Sequence, residues 1–160
     1  MTTLLSANER QLCTCRVGPL LLGVNVLDIQ EVLYHSEYTE IPCTAEAITG
    51  LINLRGQIAT AIDLRVRLGV EPSPDSELIH VVVEHRGEPV SLLVDEIGDV
   101  ITVNDAIFEP PPENIEGTAR ELILGAYKLE NELLLTLDVE QAISTSNQLT
   151  AQRQSAGATR

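Results

Sequence analysis

Few side chains in this 160-residue sequence are equipped for chemistry: three histidines, three cysteines and one short acidic run. A histidine serves as general acid or base only within reach of a reacting group. His80 and His85 fall on a predicted strand and its turn at opposite parities, so one face does not present both. Both read as solvated or half-buried, and His35 stands alone. Cys13 and Cys15 share one strand face, and an i, i+2 spacing closes neither a structural disulfide nor a zinc site without other ligands. With Cys43 they read as small core side chains. The run Asp95-Glu96-Ile-Gly-Asp99 has too few ligands for a calcium loop and reads as structural or surface charge. There is no Gly-rich phosphate loop, no Gly-x-Ser-x-Gly and no His-Glu-x-x-His. The expectation is a chain with no catalytic residue, no metal site and no cofactor, and not an enzyme.

The elements that would position any site begin at Gly50. Residues 51–54 and 58–62 are short β-prone runs, and Arg55-Gly56 between them supplies the glycine of a tight hairpin turn. Asp63 then N-caps a helical turn carrying Leu64 and Leu68, which Gly69 stops by accepting positive φ. The same unit recurs about 75 positions on, without a gap. Gly50 matches Gly125, Leu54 matches Leu129, Ile58 matches Leu133, Ile62 matches Leu137 and Asp63 matches Asp138. Glu130-Asn131 takes the turn, Asn also tolerating positive φ. Upstream, Val26-Leu-Asp-Ile-Gln-Glu-Val-Leu33 matches Val94-Asp-Glu-Ile-Gly-Asp-Val-Ile101 at an offset of about 68, and Cys13 and Cys15 lie over Val81 and Val83. The chain therefore reads as two similar halves, about 12–69 and 78–143, with the exchange of strands between them left open.

Each half alone would be marginal, since a 160-residue chain buries about 70% of its unfolded surface and a 60-residue piece less. The halves are expected to pack around a shared core. Hydrophobic content of 44% excludes a disordered chain. No apolar run approaches the ~20 residues of a membrane span, and the first residues lack a basic leader, so a soluble, cytoplasmic protein is expected. A net charge of −14 makes nucleic acid and anionic membrane poor partners and leaves proteins. Aromatic content of 2% removes the stacking platforms used for nucleotides and sugars.

Along the chain, residues 12–17 and 20–26 flank the Gly18-Pro19 turn, and 26–33 mixes a helical turn with a strand start. Residues 34–41 read as extended ahead of Pro42, and 44–47 as a short helix. A polar link at 70–77 separates the halves. Residues 78–84 and 89–94 flank a second Gly-bearing hairpin, 100–103 continue as strand, and the proline-rich 109–117 reads as a surface loop. Residues 1–11 and 144–160 are polar termini, the latter extending the final helix at most briefly. The fold class is all-β with short helices.

Where the halves stop matching, a residue is free to serve a partner. Arg55 stands opposite Glu130, and a guanidinium on a turn grips a partner's carboxylate or carbonyls in a fork that Glu cannot make. The alternative is an internal ion pair. Ile29, Val32, Ile79 and Val100 are aliphatic residues near strand ends, suited to core or interface.

Five separated blocks in this order resemble the CheW-type coupling proteins of bacterial chemosensory arrays: residues 26–33, the Gly50-Leu-Ile-Asn-Leu-Arg-Gly56 block, Ile62-Asp-Leu-Arg65, residues 94–100 and residues 133–138. The resemblance spans about 12–143 as one CheW-like domain. It implies two SH3-like five-stranded β-barrels packed around a shared hydrophobic core. It also implies a non-enzymatic, cytoplasmic adaptor, monomeric in isolation and recruited to arrays. Such an adaptor joins the helical-hairpin tip of chemoreceptors to the regulatory domain of a CheA-type histidine kinase, without nucleic acid or membrane insertion. By position, Glu31 and Arg55 become kinase or receptor contacts, and Ile29, Ile79, Ser91 and Val100 border a receptor groove between the barrels. Thr60, Ser91 and the Leu20-Leu21 pair depart from the family's usual proline, glycine and aromatic. The rival readings are a two-barrel protein that binds the kinase without engaging receptors, and an enzyme or small-ligand protein using the second-half acids and histidines.

Overall fold

The computed structural model describes residues 8–34, 38–40, 48–71, 78–115 and 117–143. His35, Cys43, the helix expected at 44–47 and any helix beyond residue 143 lie outside the described residues. Among the described residues eleven strands form two sheets: β1 (Glu9–Val17), β2 (Leu20–Asn25), β3 (Ile29–Leu33), β4 (Tyr38–Glu40), β5 (Ile48–Leu54), β6 (Gln57–Asp63), β7 (Ile79–His85), β8 (Glu88–Val94), β9 (Glu96–Asn104), β10 (Ile123–Lys128) and β11 (Leu133–Leu137). The first sheet runs β10-β11-β2-β1-β9, and the second β3-β7-β8-β6-β5-β4. The all-β, two-barrel expectation holds, with the three-residue β4 added as a sixth strand at one edge.

The barrels do not follow the halves of the sequence. Among the described residues the chain crosses between sheets at residues 26–28, a 3-10 turn capped by Asn25, and at Asp95. The second barrel is therefore a continuous segment from β3 to β8, inserted between the two pieces of the first, and 12–69 and 78–143 are not its boundaries. Each half gives its opening hairpin to one barrel and its remaining strands to the other. The exchange is reciprocal and the register repeats. β2 runs parallel to β11 as β8 runs parallel to β6. The bulge between Ile48 and Gly50 recurs between Ile123 and Gly125, and the register shift at Ile29 and Glu31 has its counterpart where β9 pairs with Cys13 and Cys15. A bulge bends its strand and tightens the twist, so equal bulges give equal barrel corners.

The Asp63 signal works as read. Its side chain accepts from the Arg65 amide, opening α1 (Leu64–Leu68), and Gly69 closes it at φ 70°. Asp138 repeats the cap by accepting from the Gln141 amide ahead of a helical turn at 139–143. One turn differs from expectation: among the described residues Arg55 and Arg86 are the non-glycines at positive φ, so Glu130-Asn131 closes without a left-handed residue. A short helix, α2 (Thr118–Glu121), follows the proline-rich loop. Four residues carry too little periodicity to be read from sequence.

Three apolar clusters hold the fold. Ile52, Leu54, Ala59, Ala61, Val82 and Leu93 fill the second barrel, and Leu12, Leu21, Val103, Tyr127 and Leu134 fill the first. The largest joins both, drawing Val17, Leu22 and Val24 from one sheet and Ile62, Val81, Val83 and Leu92 from the other, with Leu64 and Ile143 from the helical turns. A fully buried aliphatic side chain contributes about 1.5–3 kcal/mol, so a centre supplied by both barrels binds them into one unit.

Candidate protein-binding surfaces

Arg55 and Glu31, both expected as contacts for a partner, meet each other. The Arg55 Nη2 donates to Glu31 Oε2 at 2.9 Å. The contact ties the β5–β6 turn to β3 across the outside of the second barrel. Arg55 and Gly56 have φ of 53° and 85°, the left-handed pair of a type I′ turn that matches strand twist. Asn53 Oδ1 accepts from the Gly56 amide at 3.0 Å and locks the turn. The Arg55 side chain remains 84% exposed and Glu31 26%, so the guanidinium keeps donors free for a partner. Ile58, two residues beyond the turn, is 68% exposed, and its repeat equivalent Leu133 is 39% exposed, so each barrel offers an apolar residue at the same place.

Of the four residues expected to border a groove, Val100 lies on β9 and is 53% exposed. Ile29 and Ile79, at the starts of β3 and β7, are half-buried with their inner sides on the shared core. Ser91 does not border a surface. It is fully buried in β8, and its hydroxyl lies 2.9 Å from His80 Nδ1. In the repeat these two residues match Gly23 and Leu12, and Leu12 packs directly against Gly23. The second barrel thus replaces a leucine over a glycine with a histidine over a serine. The serine fills space inside the barrel, and sequence position alone could not say on which side of the strand it points.

Three of the described residues with chemical potential, His80, Cys13 and Cys15, are buried. His80 is buried, and burial pulls its imidazole below the usual histidine range, so it stays neutral. Both members of the Ser91–His80 pair are enclosed within the second barrel. Cys13 and Cys15 are free and buried, and burial, with Cys13 beside it, pushes the Cys15 thiol up to about 12. Among the described residues no three His, Cys, Asp or Glu groups gather as metal ligands.

The acidic run, read from sequence as structural or surface charge, yields one structural residue. Asp95, at the second crossing between barrels, accepts from the Gly18 amide at 2.6 Å and pairs through Oδ1 with Arg65 Nε at 3.2 Å. Asp63 stands 3.8 Å from the same nitrogen, and the Arg65 side chain is 4% exposed. Burial pushes the Asp63 carboxyl up, against the opposing pull of the Arg65 amide and guanidinium. A guanidinium is thus enclosed between carboxylates where the barrels join. The signal was present, since Arg65 and Asp95 both depart from their repeat equivalents, Glu140 and Leu27. A hollow of about 430 Å³ opens elsewhere between the barrels, and Arg10, Asn25, Asp28, His85, Thr136 and Glu140 are among its lining. None of the expected groove residues lines it.

A family model described as a CheW-like domain matches residues 11–147. The chain is 30% identical over 141 residues to a protein of Rhizobium etli named probable chemotaxis protein CheW, covering 88% of this chain and 91% of that one. It is 31% identical over 124 residues to the chemotaxis protein CheW of Klebsiella aerogenes, covering 77% and 75%. Among solved structures, the scaffolding protein TtCheW of Thermoanaerobacter tengcongensis aligns with a TM-score of 0.72 at 29% identity, over 81% of this chain and 89% of that one.

Proposed function

The chain belongs to the family of CheW-like domain proteins, and on that premise we propose that it is a non-enzymatic scaffold that couples chemoreceptors to a CheA-type histidine kinase. The observation that carries the reading is the pair of like barrels fused through a shared centre, each with its own outward face. One face binds without disturbing the other. The exposed Arg55, held by Glu31 and flanked by the exposed Ile58, is the charged contact for the kinase or receptor. Val100, with the half-buried Ile29 and Ile79, supplies apolar surface for the receptor's helical hairpin, burial being worth about 25 cal/mol per Å². Ser91 supports that wall from inside the barrel and touches no partner.

The mechanism is simultaneous binding. Holding receptor and kinase on one body turns the second encounter into an intramolecular one and raises effective concentration. Any difference in affinity between signalling states then couples the two. The scaffold acts in the cytoplasm at receptor arrays; among the described residues no helix is long and apolar enough to cross a membrane.

Co-sedimentation tests the reading. Mixed at tens of micromolar with a receptor cytoplasmic fragment and the kinase, the protein enters a ternary pellet. Loss of both partners from the pellet rejects the scaffold, and retention of the kinase alone identifies a kinase-binding protein that does not engage receptors.

A further inference from the structure

The reciprocal repeat builds the junction between the barrels twice, and only one copy is filled. In the filled copy Arg65 lies between Asp63 and Asp95, and Asp95 holds the Gly18 amide. In the other copy Asp63 becomes Asp138, Arg65 becomes Glu140, Asp95 becomes Leu27 and Gly18 becomes Arg86. The enclosed guanidinium and its bridging carboxylate are both missing there. The hollow of about 430 Å³ occupies this place, with Arg86, Asp138 and Glu140 in its lining.

At two positions the wall of the open copy is polar where that of the filled copy is apolar. Ala61 and Val17, both fully buried, are replaced by Thr136 and His85. Thr136 is 7% exposed, and its hydroxyl has no hydrogen-bond partner among the described residues; the buried His85 Nε2 has none either. A buried polar atom left unpaired costs stability unless something arrives to satisfy it. Both residues line the hollow, and unpaired polar groups in its wall point to a ligand.

The charge of the lining selects its sign. Asp28, Glu84, Asp138 and Glu140 contribute carboxylates. Of the two arginines, Arg10 is already paired with Asp105 at 3.1 Å, which leaves Arg86. Burial raises the Asp28 carboxyl with no cation pulling it back. The net charge of −14 repels an anion and draws a cation in. From the filled copy and these walls we infer that the open junction is a binding site for a guanidinium group, an arginine side chain, held by Asp28, Asp138 and Glu140 with Thr136 and His85 as neutral hydrogen-bond partners. The arginine has two possible sources with one chemistry. Residues 144–160 of this chain carry Arg153 and Arg160 and no acid, and a partner protein can present the same group.

The site is tested on the full chain with N-acetyl-L-arginine amide and its neutral isostere, N-acetyl-L-citrulline amide, by amide chemical-shift titration. Arginine amide is expected to bind about tenfold or more tightly than the citrulline compound, because hydrogen bonds between charged groups are the strong ones. Glu140→Gln with Asp28→Asn should remove that preference. Leu27→Asp with Glu140→Arg, which rebuilds the filled junction, should abolish binding while the fold is retained. Arg153→Gln with Arg160→Gln identifies the source: tighter binding of added arginine marks the chain's own tail as occupant, and unchanged binding marks an external arginine. Equal binding of the two compounds, or an arginine preference that survives both cavity variants, overturns the inference. It does not depend on receptor or kinase binding.

Discussion

Replacing Arg65 by methionine keeps most of the side-chain volume and removes the charge between Asp63 and Asp95. Their side chains are 12% and 15% exposed, so two nearly enclosed carboxylates lose their common cation. Breaking a buried ion pair from one side costs about 3–5 kcal/mol, because the remaining charge stays desolvated without its partner. At about 2–4 °C per kcal/mol for a chain of this size, Arg65→Met should lower Tm by about 6–20 °C. Adding Asp95→Leu should return much of the loss, since the second charge leaves with the first and Asp63 still caps α1. The four-member cycle is read by urea denaturation at pH 7 with constant m. Its coupling energy should be at least about 2 kcal/mol, within the range of directly interacting residues. A loss below about 1 kcal/mol for Arg65→Met, or singles that simply add in the double variant, would refute the claim that this cluster fastens the barrels.

Three further outcomes follow from the same geometry. The burial-lowered pKa of His80 means that below about 6.5 the unfolded chain takes a proton that the folded chain refuses, so stability falls as pH falls. The slope is at most about 1.4 kcal/mol per pH unit per group, and His80→Leu with Ser91→Gly, which copies Leu12 over Gly23, should flatten the Tm profile between pH 7.5 and 5.5. Arg55→Asn suits the left-handed turn and removes an exposed pair worth at most about 1 kcal/mol, so Tm should move by less than about 4 °C while assembly with kinase and receptor weakens. A larger loss of Tm would make the Glu31 pair internal fastening. The Cys15 thiol, fully buried and pushed up to about 12, should react with a neutral-pH disulfide reagent only as fast as the protein opens; rapid labelling under native conditions would contradict its burial.

Strand positions, the Asp63 cap and the Arg55-Gly56 turn were legible because each rests on local chemistry: alternation, an acceptor at the start of a helix, a residue free at positive φ. The repeat was legible too, since the bulge-bearing Gly50 and Gly125 units align without a gap. Barrel membership was not. A gapless repeat shows that two segments are alike but not whether each pairs with itself or with its twin, and the exchange at residues 26–28 and Asp95 leaves no local mark. Facing was equally hidden at Ser91, which the resemblance sets at the border of a groove and the fold buries inside the barrel. Arg65 entered the sequence reading only within the Ile62-Asp-Leu-Arg65 block, although its mismatch with Glu140 was visible. Mismatch between copies pointed to partner contact at Arg55, yet at Arg65 and Asp95 the same kind of mismatch fills an interior junction. Burial separates the two cases, and burial comes only with the fold.

The central claim is that one body holds two partners at once on different faces. The most direct measurement is the affinity for the kinase regulatory domain, taken by titration calorimetry with and without a saturating receptor hairpin fragment. The account predicts binding at both conditions, with the kinase affinity unchanged or strengthened by receptor. Displacement of one partner by the other would mean a single shared surface and would contradict it.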